Sequence, residues 1–415
     1  MSTASNASGD RPRLSRRGLL TGGALAAGGV LAGGAVVAGT TAGRDGDRPD
    51  ITPAAEHFGL SIEPFHGPRQ AGVATPPQAY ASFVALTLLP DVDRDALGRM
   101  LRLLTDDAVR LTRGEPALAD TEAELAVLPA RLTITFGFGP EVYRAAGRME
   151  RKPASLAELP PFGIDRLEPA WSGGDLLLQI CADDAITVAH AQRVLVKDIR
   201  PFARVRWVQQ GFRRGRGVEP DGFTQRNLFG QLDGTVNPDP ATPAGEAAIW
   251  SAADEPWLKD SSTLVIRRIR LDMEGWDLLG RVERELTVGR RLTDGAPLTG
   301  RDEHDAPDFD ATDDVGLPII PAFSHVRRAH VADERLRILR RSYNYDGAPA
   351  DNGDADSGMI FCAYQADIER QFLPIQQRLA EQDVLNEWTI PIGSAVFAIP
   401  PGCAPGGWIG QQVLE

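Results

Sequence analysis

Apolar positions along the chain recur with two different periods, and their succession predicts an α+β protein. Residues 80–89 (YASFVALTLL) form a run of strand composition. Leu97, Leu101, Leu104, Ala108 and Leu111 then keep one face of a helix. Residues 131–138 (RLTITFGF) alternate, with Leu132, Ile134, Phe136 and Phe138 on one side, as expected of a half-buried strand. A short helix follows Pro140, and a strand at 175–181 follows Gly173-Gly174. Asp183 and Asp184 can cap a helix over about 185–198, and a strand at 203–210 closes the half. The order β-α-β-β-α-β is that of a ferredoxin-like module.

The second half repeats the order of elements without repeating residues. Strands are expected at 263–271, 336–345, 357–364 and 394–399, with helices at 275–287 and 366–382. In the last helix Ile368, Phe372, Ile375 and Leu379 share a face, and Pro374 inside it predicts a kink or break. Two such modules can pair their sheets into one assembly. The fold expected is therefore α+β, two ferredoxin-like modules in a dimeric α+β barrel-like arrangement. A polar insertion at 290–335, rich in Gly, Asp and Pro, interrupts the second module. Loops of that length inside compact domains are usually functional or disordered.

Ahead of the first strand, a basic segment (RPRLSRRGLL) leads into TGGALAAGGVLAGGAVVAGTTAG. Nine glycines from Gly18 to Gly43 make this a poor membrane helix. With Arg16-Arg17 before a weakly apolar run, it resembles a twin-arginine export signal. That implies an exported protein, in the envelope, periplasm or outside the cell, with no stable membrane span once the signal is removed. Such export carries proteins already folded, often around a cofactor. The boundaries expected are 1–43 signal, 44–75 linker and arm, 76–235 first module and 236–415 second module.

With 415 residues, 42% hydrophobic and 24% charged, the chain is globular and long enough for two domains. The net charge of −13 argues against nucleic acid as a partner, because phosphate contact needs a basic face. The three cysteines are far apart and offer neither a disulfide framework nor a metal-binding spacing.

Two places suggest chemistry. In NLFGQLDGTVNP (227–238), Asp233 reads either as an ordinary turn residue or as a carboxylate aimed at a ligand. In LRILRRSYNY (336–345), Arg340 and Arg341 are neighbours on a strand and point to opposite faces. One of them must be buried, and a buried guanidinium needs a partner across the sheet or an anionic ligand. Of six histidines, His304, His325 and His330 fall in or beside the insertion, at spacings that match no familiar metal site. His325, in PAFSHVRRAHV, reads as a histidine near a basic turn or as an axial haem ligand with an arginine nearby.

These segments carry a resemblance. GQLDG (Gly230–Gly234) resembles the GxxDG motif of dye-decolorising peroxidases, and SHVRRAH (324–330) their proximal-histidine segment. EHDAPDF (303–309), LRRSYNY (339–345) and the closing run from Tyr364 resemble the exported branch of that family, which includes proteins described as deferrochelatases. The resemblance spans about residues 75–415 and agrees with the two-module order read above.

It implies one haem b per chain, held by His325, with Asp233 and Arg340 as catalytic residues and Arg341 as the rival to Arg340. Asp367 is expected to hold the other nitrogen of His325, and His304 and Arg327 to meet the propionate edge. The reaction implied is oxidation of haem by hydrogen peroxide, then two one-electron reductions by a dye-type or phenolic organic donor. Aspartate as proton acceptor implies an acidic optimum, since model aspartates titrate at about 3.9. Tyr343 and Tyr345 are candidates for electron exit, weighed against ordinary strand packing. The alternatives are a deferrochelatase-like release of iron from an intact porphyrin, and a haem-binding module without significant turnover. A homo-oligomer is left open.

Overall fold

The computed structural model describes residues 58–220, 222–349, 353 and 355–415. The expected signal, and the linker up to residue 57, lie outside the described residues.

The first half runs β1 (Tyr80–Leu88), α1 (Arg94–Thr112), β2 (Thr133–Phe138), α2 (Pro140–Ala145), β3 (Leu176–Ala182), α3 (Ala185–Asp198), β4 (Ala203–Phe212). The second half runs α4 (Pro243–Ile249), β5 (Ser262–Leu271), α5 (Met273–Asp277), α6 (Arg281–Val288), α7 (His325–Ala329), β6 (Leu339–Arg340), β7 (Tyr343–Asp346), β8 (Ser357–Gln365), α8 (Leu373–Gln382), β9 (Thr389–Ile399).

The first-half strands pair in the order β2-β3-β1-β4, and the second-half strands in the order β7-β8-β5-β9, all antiparallel. Both are the strand order of a ferredoxin-like module. The sheets meet at two seams, Phe138 opposite Ala398 and Phe212 opposite Asn344, and so close into a ring.

Closure explains where the apolar residues go. Alternate residues of β1 divide between two cores. Val84 and Leu86 pack outward under Leu97, Leu101 and Leu104 of α1, whereas Ala81, Phe83 and Ala85 face the interior with Tyr343, Tyr364 and Phe397. For the same reason β2 is buried on both faces rather than half-buried. At Gly137 an added Cβ would lie 3.0 Å from Cβ of Phe397, so the interior approaches the backbone directly. Asp184 caps α3 by accepting from Thr187 N, while Asp183 accepts from Ala79 N at 3.1 Å instead.

Three expected elements are broken. The helix over 275–287 is two helices, α5 and α6, and the strand over 336–345 pauses at Arg341-Ser342 between β6 and β7. The 366–382 helix opens with a π-helical turn, Ile368–Phe372, and restarts as α8 with Pro374 in its first turn. Proline has no N–H to donate, and a first turn is where that loss is harmless.

Candidate functional site

The outward face of the second sheet does not pack fully against its helices. Residues 267, 269 and 271 of β5 and 359 and 361 of β8 line a cavity, roofed by α8, the start of α7 and the loop 227–233. Phe229, Leu232, Ile269, Leu271, Met359 and Phe361 make much of its wall apolar, and the polar groups that line it include His325, Asp233 and Arg340.

His325 is the first residue of α7. Its Nδ1 lies 2.6 Å from Oδ2 of Asp383, whose other oxygen accepts from Leu385 N at 2.9 Å. Val384 N donates to Phe323 O at 3.1 Å, so the two segments are fixed to each other by backbone as well. Burial disfavours the imidazolium, but Asp383 outweighs it and holds the His325 pKa above the ordinary value. Nε2 of His325 has no hydrogen-bond partner among the described residues, and the side chain is 32% accessible where it meets the cavity.

Asp233 and Arg340 form an ion pair, Nη1 to Oδ1 at 2.8 Å, with side chains 8% and 21% exposed. Their positions follow from local geometry. Gly230 and Gly234 have φ of +79° and +134°, in the region that favours glycine, so the loop can turn sharply on each side of the carboxylate. Asp233 N donates to Gln225 O at 2.9 Å. Asn237 grips the main chain of Arg340 from both sides, donating to its carbonyl at 2.7 Å and accepting from its N–H at 3.1 Å. The charges of Asp233 and Arg340 both reach His325.

Arg341 points the other way. It is 1% exposed inside the ring, where it donates to Gly72 O at 2.7 Å, to Tyr343 Oη at 2.9 Å and to Gln78 Oε1. The strand alternation therefore divides the arginine pair between cavity and core. Tyr343 and Tyr345 are core residues, 0% and 2% exposed.

The residues present fit a haem. A histidine oriented through Nδ1 presents a free Nε2 to a largely apolar cavity, the arrangement of a metal-ligating imidazole. Two wall residues also carry polar atoms without a protein partner, Nε2 of Gln231 and Nη1 of Arg267, donors suited to an anionic edge.

Other expected residues lie elsewhere. Asp367 does not hold His325; it caps the π-helical turn, accepting from Glu369 N and Arg370 N at 2.9 and 3.1 Å. Asp383, just past the far end of the same helical segment, takes that role. His304 is exposed, and neither it nor Arg327 lines the cavity. Arg327 Nη1 donates to Phe309 O and Ile320 O at 2.7 and 3.1 Å, which fastens the insertion to α7. Asp383, Asn237, Gln225 and Arg267 were missed in the sequence. Only Asp383 carried a signal, as an aspartate directly after a helix end.

Family models described as Dyp-type peroxidase, N-terminal and C-terminal, match residues 70–213 and 224–404. The chain is 39% identical over 361 residues to a dye-decolorizing peroxidase of Thermobifida fusca, covering 83% of this chain and 84% of that protein. It is 36% identical over 363 residues to a deferrochelatase of Escherichia coli, covering 82% and 84%. A DyP-type peroxidase from Cellulomonas bogoriensis, solved by crystallography, superposes with a TM-score of 0.84 at 51% identity, over 86% of this chain and 99% of that one. Ferric DtpA from Streptomyces lividans gives a TM-score of 0.83 at 37% identity, over 87% and 100%.

Proposed function

The chain belongs to the Dyp-type peroxidase family and is a haem-b-dependent peroxidase that uses hydrogen peroxide to oxidise organic donors, and from that premise we propose how its own residues divide the work. His325 would hold the iron through Nε2. Asp383, by accepting from Nδ1, fixes the tautomer and raises the basicity of the ligand nitrogen. Bound haem supplies the redox centre through which two electrons pass from donors to peroxide.

Asp233 then acts on protons. Its carboxylate accepts one from the near oxygen of peroxide and returns it to the departing oxygen, which leaves as water. Arg340 keeps Asp233 in place and directs its remaining N–H groups at negative charge on the separating oxygens. An aspartate as proton acceptor implies a turnover optimum in acid, and the pH profile of kcat/KM for peroxide checks it. The convergence of His325, Asp233 and Arg340 on one cavity carries this reading.

Two measurements test it. The visible spectrum of the purified protein should show a Soret band that His325→Ala weakens or displaces. Peroxide turnover should fall by roughly 10²–10⁴ in Asp233→Asn, the usual contribution of a positioned acid-base group. Arg340→Leu should also fall steeply. Wild-type turnover in both variants would reject the assignment.

Similarity to deferrochelatases favours a second reading, release of iron with the porphyrin left intact. Mass analysis of the pigment after incubation with haem decides it, since iron-free porphyrin must appear. Export by the twin-arginine route is read from Arg16-Arg17 and the following run; no described helix is long and apolar enough to cross a membrane. Replacing Arg16-Arg17 by Lys-Lys should keep the protein inside the cell.

A further inference from the structure

Asp233 and Arg340 also face a second space, a vestibule open to solvent between the Pro76-Pro77 turn and residues 213–220 and 222–225. Its charge runs against that of the protein. The whole chain carries −13, yet the described lining holds five arginines and three carboxylates. Each carboxylate is already engaged. Asp183 lies 3.3 Å from Arg131 and 3.6 Å from Arg216, Glu219 lies 2.8 Å from Arg214, and Asp233 lies 2.8 Å from Arg340.

Arg213 is the arginine left over. Among the described residues it pairs with no carboxylate; its Nε donates to the neutral amide oxygen of Gln225, and its guanidinium lies 5.9 Å from the ring centroid of Tyr343. Its side chain is only partly exposed; burial is the main cause that pushes its pKa down, partly offset by the charge of nearby Asp233. Its two terminal nitrogens have no acceptor among the described residues, and the residue lines the vestibule. A guanidinium in that state presents a planar pair of donors matched to a carboxylate. Beside it, Pro76, Pro77, Ala79 and the 67% exposed Phe223 supply apolar wall.

We propose that this vestibule binds a small aromatic carboxylate, with the carboxylate on Arg213 and the ring against Phe223 and the Pro76-Pro77 turn, where it occupies the approach to Asp233. The site deepens the peroxidase reading. Its kinetic consequence rests on Asp233 meeting peroxide, whereas binding itself does not.

Fluorine NMR of 4-fluorobenzoate with the haem-loaded protein, without peroxide, reads binding directly. The expected result is saturable broadening that benzoate reverses, with affinity at least tenfold weaker in Arg213→Gln and partly restored in Arg213→Lys. Phe223→Ala, at an exposed position, should weaken it severalfold and keeps the test open should the arginine variants fold poorly. Equal binding of neutral fluorobenzene, or equal displacement by inorganic phosphate, would overturn the assigned class. A Soret shift that tracks binding would place the anion at the iron instead and also overturn it. In turnover with a neutral phenol, benzoate should raise the KM for peroxide and leave kcat unchanged; an unchanged KM would reject the location over Asp233. Failure of Asp233→Asn to lose turnover would damage the peroxidase roles and leave the NMR result standing.

Discussion

Asp233 and Arg340 stabilise each other as a pair and are costly apart. At 8% and 21% side-chain exposure, each is the other's counter-charge, so removing one leaves a partly buried charge unmatched. The same reasoning separates two aspartates that sequence spacing could not. Asp383 fixes the ring of His325, and Asp367 caps a turn. Asp383→Asn should therefore weaken haem affinity or activity by roughly 10–100-fold, the usual effect of losing such a partner. Asp367→Asn should leave the Soret band in place and cost about 1 kcal/mol or less of stability, since asparagine also caps. Haem titration and thermal melts of the two variants check this.

A third aspartate predicts pH dependence away from the site. Asp107 of α1 is 1% exposed, and burial together with the neighbouring carboxyl of Asp198 pushes its pKa from 3.8 up to about 7. The folded state then binds a proton that the unfolded chain releases near 3.8. This stabilisation is fully present below that value and is lost as pH rises toward about 7. Tm should fall across that window, and Asp107→Asn should flatten the fall; a wild-type and a variant with parallel profiles would exclude it.

Among elements, the short ones do the positioning. β6 is two residues long, and Asn237 clamps its last one, Arg340, through both main-chain groups. Gln225 adds a second clamp, accepting Asp233 N on its carbonyl while its amide donates to Ser342 O at 3.1 Å. Asn237→Ala removes both bonds to Arg340 without touching Asp233 directly. It should lower kcat about tenfold with little change in the Soret band, because small displacements of a catalytic group are costly in rate; unchanged stopped-flow turnover would show the clamp to be dispensable. The broken elements fit the same picture. Arg341 keeps a main-chain bond to the sheet at the gap between β6 and β7, its N–H donating to Cys362 O at 2.9 Å, so the alternation that sends Arg340 to the cavity and Arg341 to the core persists there. The restart at Leu373 lets α8 run on to Asp383.

At the scale of the whole molecule, the two modules share one interior. Phe83, Leu177 and Trp207 from the first half pack in a single cluster with Tyr343, Tyr364 and Phe397 from the second. Neither sheet can lose its partner without exposing that cluster. Haem-free protein should therefore melt in one calorimetric transition, with calorimetric and van't Hoff enthalpies in agreement. Two resolved transitions would show that the modules are independent.

The sequence by itself determined most of the elements and the order of both modules, because strand and helix periods are local and each half repeats them in full. Through short motifs it also singled out Asp233, His325 and one of two arginines, the groups that the structure brings to one cavity. What only the tertiary structure decided was facing and pairing. Local alternation says that Arg340 and Arg341 diverge, but which one meets the cavity depends on how the sheets close. The burial of both faces of β2 follows from the same closure. Asp383 could not be told from Asp367, because 58 residues separate it from His325 and their meeting is made by the packing of α7 against α8.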